Sequence, residues 1–178
     1  EYGFKPIIYT PNIFDNSLKD ETLELNNIEV IRKPIFDLGY YFQKFFNLKL
    51  SQGLLEDKKG LFERFSTWIR GNIFIPDSKI FWVNSSVKYL KKILVKRKIK
   101  LVITTGPPHS MHIIGLRLKK ELNIKWISDF RDPMSNWDVI NDFKLLKFSL
   151  NKLKSIEKSI LKKSDIILVT NKNLAREF

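Results

Sequence analysis

The side chains with chemistry to offer gather in one stretch. Thr104, Thr105, His109 and Ser110 follow a β-branched run, and Asp129, Arg131 and Asp132 follow a second apolar run. An arginine can hold a phosphate through two parallel hydrogen bonds, and a carboxylate beside it can fix its orientation. A histidine at a helix start can hydrogen-bond a sugar hydroxyl or a phosphate, its tautomer set by its neighbour. Plainer roles stand against these: a loop histidine bonded to backbone, or an Asp–Arg ion pair tying a strand end to the next helix. His109 and His112 lie one helical turn apart, but a metal site needs a third ligand and no carboxylate or cysteine stands near them in sequence, so none is expected.

The elements that must position these groups are readable from the same stretch. Leu101 to Thr105 is β-branched, Gly106-Pro107-Pro108 breaks it, and Met111, Ile114, Leu118 and Leu122 then recur at helical spacing before the apolar run from Lys125 to Ser128. The unit is β-α-β, and two parallel strands joined this way end on the same sheet edge, where open α/β domains keep their ligands. The amides of His109 and Ser110, following two prolines that lack N–H groups, are expected to point out of the helix start and attract phosphate or carboxylate. On a strand Asp129 and Arg131 fall on one side, and Pro133 turns the chain just after Asp132.

Earlier in the chain, a helix tail capped by Gly3 precedes a strand at Lys5 to Thr10, and a second brief strand at Ile28 to Arg32 precedes Pro34. Asn12 to Asn27 reads as a loop or short helical piece. The aromatics Tyr40, Tyr41, Phe42, Phe45 and Phe46 fit either packing on the sheet or an apolar acceptor-facing or membrane-facing helix. Ser51 to Gly60 reads as a mobile loop, and Leu61, Phe62, Phe65, Trp68 and Ile69 as a helix closed by Arg70-Gly71-Asn72. Asp77 or Ser78 is expected to cap a helix over Lys79 to Lys98, whose lysine-rich end suits the helix dipole or a phosphate or lipid headgroup. A connection through Trp137, a helix from Phe143 to Lys163, a buried strand at Asp165 to Thr170 and the start of a helix at Asn171 complete the chain.

Composition narrows the class. With 178 residues and no internal repeat or Pro/Gly/Ser linker, the chain suits one domain, 1–178, of α/β class with an open, mostly parallel, Rossmann-like sheet flanked by helices. It has no cysteine, so disulfides and thiolate metal sites are excluded; no run reaches the roughly 20 apolar residues of a membrane span, and a signal-peptide pattern is absent. A formal charge of +13 suggests an anionic partner, although the abundance of Lys, Ile and Asn together, as an AT-rich genome would impose, accounts for part of it. P-loop, G-x-G-x-x-G, G-x-S-x-G and zinc-protease patterns do not occur.

Four words carry a resemblance: ITTGPPHSMHIIGLRLKK, WISDFRDP, WIRGNIFIPD at Trp68 to Asp77, and PIIYTP at Pro6 to Pro11. Together they resemble the N-terminal domain of bacterial family-4 glycosyltransferases of the GT-B fold, in particular a Bacteroidetes-type subgroup. The resemblance implies an acceptor-side domain fragment that lacks the family's first strand with its glycine-rich loop and lacks the C-terminal donor-binding domain, and that is inactive alone. It implies a retaining enzyme that moves a sugar from a nucleotide-sugar to a saccharide or lipid-linked acceptor in cell-surface polysaccharide synthesis. No cofactor or metal is implied, and the location is cytoplasmic, peripheral at the inner face of the membrane. His109, Arg131 and Asp132 are then the catalytic candidates, and Thr105, Gly106, Ser110 and Asp129 the substrate-binding ones. The family's strand here ends in a histidine near the transferred sugar; this chain has Arg131 at about that place, so either Arg131 or His109 takes the role. The alternatives from other classes are a basic nucleic-acid-binding domain, with steep salt dependence, and a non-catalytic module for an anionic membrane surface. Neither accounts for polar residues collected at strand ends, and no nucleic-acid partner is expected.

Overall fold

The computed structural model describes residues 3–12, 28–35, 44, 59–136 and 143–178. The helix tail before Gly3, the segment 13–27, the aromatic segment 37–50 apart from Lys44, the loop 51–58 and Trp137 lie outside the described residues. The class is α/β, with five strands among the described residues that all pair in parallel. They form two sheets, in two compact units, Glu1–Phe36 and Asp37–Phe178.

In the first unit, β1 (Ile7–Asn12) pairs with β2 (Glu29–Pro34), so Pro11, expected to end its strand, lies within it. The second unit contains α1 (Lys59–Asn72), a 3-10 turn (Ser78–Trp82), α2 (Val83–Lys96), β3 (Leu101–Gly106), α3 (Ser110–Glu121), β4 (Lys125–Phe130), α4 (Lys147–Lys163), β5 (Ile166–Val169) and α5 (Lys172–Glu177). The helix expected over Lys79 to Lys98 thus divides, because the carboxylate of Asp77 accepts the Lys79 amide at 2.9 Å and starts a tighter turn first. The helix expected from Phe143 begins only at Lys147, where Leu146 is still extended.

The strands run in the order β3-β4-β5, and the pleat sorts their side chains between two faces. Thr104, Gly106, Trp126, Ser128 and Phe130 point to the face that α3 covers, and their neighbours Leu101, Ile103 and Thr105 point away. Trp126 and Phe130 join Leu116, Leu153, Ile160 and Leu174 in the core. Gly115 permits the closest approach: a Cβ there would meet the Trp126 indole nitrogen at 2.3 Å, so helix and strand come this near only because α3 has no side chain at that point. Contrary to the expected buried strand, β5 is half open, with Ile166 52% and Leu168 46% exposed. It lines the same uncovered face as Ile103, since Ile127, the register partner of Ile103, also pairs with Ile166.

At the N-terminal edge of this sheet the Asp165 carboxylate accepts the Trp126 amide at 2.8 Å and the Lys119 ammonium at 2.7 Å, with Lys125 at 3.3 Å. These hydrogen bonds, that from Lys119 first, hold its carboxyl well below the usual carboxylate range. The word at Trp68 to Asp77 is structural: Asn72 takes the Leu146 amide on its side-chain oxygen at 2.7 Å, joining the end of α1 to the start of α4, and Phe74 is buried. Among the described residues, no helix is long and apolar enough to cross a membrane.

Candidate functional site

The register Thr105↔Asp129 and Gly106↔Phe130 brings the loops after β3 and β4 together on one edge. The Thr105 hydroxyl donates to Asp129 Oδ2 at 2.8 Å across the strand pair. The Arg131 amide donates to the Gly106 carbonyl at 3.1 Å, and its guanidinium to the Pro107 carbonyl at 3.2 Å. The loop after β5 joins them, because the Thr170 hydroxyl donates to the Arg131 carbonyl at 3.1 Å. The Gly106-Pro107 and Pro107-Pro108 peptide bonds at this corner are cis. Three loops from three adjacent strands therefore form one rim, with Thr105 and Arg131 exposed and Asp129 and Asp132 half-buried.

Below the rim lies a buried cluster. The Thr104 hydroxyl accepts the Trp126 indole N–H at 2.9 Å and lies 2.9 Å from His112 Nδ1. Its own proton can go to Nδ1, which places the proton of the neutral ring on Nε2. His112 stacks on Phe130 with ring centroids 4.3 Å apart, and His109 lies 5.8 Å from His112. Burial, aided by repulsion from His109, pushes His112 down to about 3. Burial also lowers His109, opposed by the negative charges of Asp77, Glu157 and Asp132. Both ring nitrogens of His109 and Nε2 of His112 have no hydrogen-bond partner among the described residues. His112 Nε2 and His109 Nδ1 converge on the bare Cα of Gly106, where a Cβ would sit 2.7 and 3.2 Å from them. Buried groups left unpartnered are rare enough in folded chains to mark a place under functional or steric demand.

The expectation of an open, anion-attracting start to α3 is corrected. Asp77, 33 residues earlier, accepts the Ser110 amide on Oδ2 and the Ser110 hydroxyl on Oδ1, each at 2.8 Å. An internal carboxylate occupies the place envisaged for a phosphate, and Ser110 is wholly buried. The Asp–Arg pairing is also corrected: Asp129 holds Thr105 while the Arg131 guanidinium reaches Pro107. His109, read from the sequence as a helix-start histidine on the ligand edge, is 6% exposed. Gly106 is buried against the histidines.

Two positioning residues escaped sequence reasoning. Asp77 was legible only as a local cap, since its second bond is long-range. Glu157 accepts the Met134 amide at 2.7 Å and the Ser135 amide at 3.1 Å, and takes the Ser135 hydroxyl as well, fixing the loop after Pro133. The signal for it was present: Glu157 is the only acid in the lysine-rich α4. Among the described residues, no group of three or more His, Cys, Asp or Glu side chains could hold a metal ion. Compared with protein-family models, with curated proteins and with solved structures, the chain matches none.

Proposed function

We propose that this chain is the acceptor-side part of a retaining glycosyltransferase that moves a sugar from a nucleotide-sugar to a saccharide or lipid-linked acceptor. The observation that supports this reading most is the rim of exposed Thr105 and Arg131 and half-buried Asp129 at the C-terminal ends of adjoining parallel strands, where open α/β folds bind their ligands. In the reaction, the bond between the anomeric carbon and the donor phosphate oxygen breaks and the acceptor oxygen bonds to that carbon. The acceptor proton passes to the departing nucleotide phosphate. Arg131, exposed and fixed at its base by Gly106 and Thr170, suits the developing phosphate charge. Thr105 and Asp129 suit a sugar or acceptor hydroxyl. His109 and Asp132, less accessible than Arg131, lie in the same two loops.

The test is donor hydrolysis and transfer with a panel of nucleotide-sugars, on this chain and on its complete reading frame. The expected result is turnover by the complete protein that falls at least about tenfold in Arg131→Ala, the size of one lost charge-assisted contact. No donor binding or turnover by the complete protein would overturn the reading. Robust turnover by residues 1–178 alone would overturn the dependence on a second domain.

A further inference from the structure

A groove of about 740 Å³ lies between α2 and α3, built from surfaces that have no part in the rim. Its α2 wall carries Lys88, Lys91, Lys92 and Lys96, at steps of three, one and four residues, so the ammonium groups form one stripe along two turns. Arg117 supplies a cation from the α3 wall, held by the Asn84 side-chain oxygen. Val87 forms a buried floor, and Val95 stands 62% exposed at the end of the stripe. The single acid of the lining, Glu121, is taken by Lys91 at 2.6 Å. Lys88, Lys92 and Lys96 have no ion-pair partner among the described residues.

We propose that this groove and its lysine stripe dock the chain on an anionic lipid surface. Four to eight basic residues on the exposed face of an amphipathic helix are the pattern that anionic headgroups attract. Lysine stems can lie along the apolar surface while their ammonium groups reach the headgroups, and Val95 offers an aliphatic contact at the interface. Other occupants fit less well. A single-stranded nucleic acid stacks its bases on aromatic side chains, and the groove lining has none. A second copy, itself carrying +13, is repelled from a surface of the same sign. The proposal does not depend on the sugar-transfer reading, because docking needs no nucleotide-sugar.

The experiment is co-sedimentation with phosphatidylcholine vesicles with and without about a third phosphatidylglycerol, at low and high salt. The chain is expected to bind the phosphatidylglycerol vesicles at least about tenfold more tightly, and to be released by about 0.5 M salt. The triple variant Lys88→Glu, Lys92→Glu, Lys96→Glu should lose at least about tenfold in affinity, and Val95→Ser a smaller factor. The triple variant Lys152→Glu, Lys154→Glu, Lys158→Glu makes the same change in net charge on exposed positions of α4, and should stay within about twofold of the parent. All substituted side chains are exposed, and an unchanged circular dichroism spectrum verifies the fold of each variant. Equal losses in both triple variants would mean diffuse charge attraction and overturn the proposal. So would equal binding to both vesicle types, or capture of a soluble acidic peptide or an oligonucleotide through Lys88, Lys92 and Lys96 in place of vesicles.

Discussion

Thr104 and Thr105 are neighbours in β3, yet they belong to different worlds. Thr104 faces inward and spends its hydroxyl on Trp126 and His112; Thr105 faces outward and holds Asp129 on the edge. The same split continues at the end of β4, where Phe130 is wholly buried under the histidines and Arg131, the first residue after the strand, is exposed. The pleat thus sorts one polar stretch into an inner set that fixes the corner and an outer set that is free to meet a ligand. Substitutions in the two sets should therefore separate stability from activity.

The largest effects belong inside. Trp126→Ala should cost about 3–5 kcal/mol, and Gly115→Val, which forces a branched side chain into the indole, about 3 kcal/mol or more, both read from urea midpoints. A rim-like tolerance at either position would dissolve the distinction. Next comes Thr104→Val, which strips the partner from the buried indole N–H and from His112 Nδ1, at about 1–3 kcal/mol. Asp77→Ala should cost about 1–2 kcal/mol by uncapping the 3-10 turn and α3 together, and it should lower the His109 pKa further in an NMR titration, because Asp77 is the leading charge that raises it.

Acid should reveal the inner set as well. A histidine held neutral in the folded state leaves the unfolded chain binding more protons below its ordinary pKa of about 6.5. For His112 stability is therefore fully present above that value and falls as pH drops from there to about 3. The slope approaches about 1.4 kcal/mol per pH unit in that window, and His112→Gln should remove this contribution while lowering stability at neutral pH. The smallest effects on stability are expected at the rim. Thr105→Val and Arg131→Ala should shift unfolding by about 0.5 kcal/mol or less, while under the sugar-transfer proposal each lowers donor turnover about tenfold. A rim substitution that unfolds the chain would join the two sets into one.

Much of the frame was legible in the residues. The β-branched run at Leu101, the Gly-Pro-Pro break and the helical spacing from Met111 mark β3, α3 and their shared edge because each rests on a local period or a backbone restriction. The inward position of His109 and Ser110 was less legible, since both read as accessible polar residues at a helix start until the long-range carboxylate of Asp77 is in place. Ion pairing misled at Arg131, where the turn geometry carries the guanidinium to Pro107 instead of to an acid. The openness of β5 was hidden as well, because Ile166 to Val169 is an unbroken apolar run with no alternation to betray a bare face.

One carboxylate far from the rim contributes to which residues reach it. If β4 slid by a single position against its neighbours, Trp126 and Ser128 would trade places with Ile127 and Asp129, and every side chain of the strand would change sides. Asp165 gripping the Trp126 amide from the opposite edge opposes that slide. The orientation of Asp129 at one end of the strand is in this sense selected by an anchor at the other.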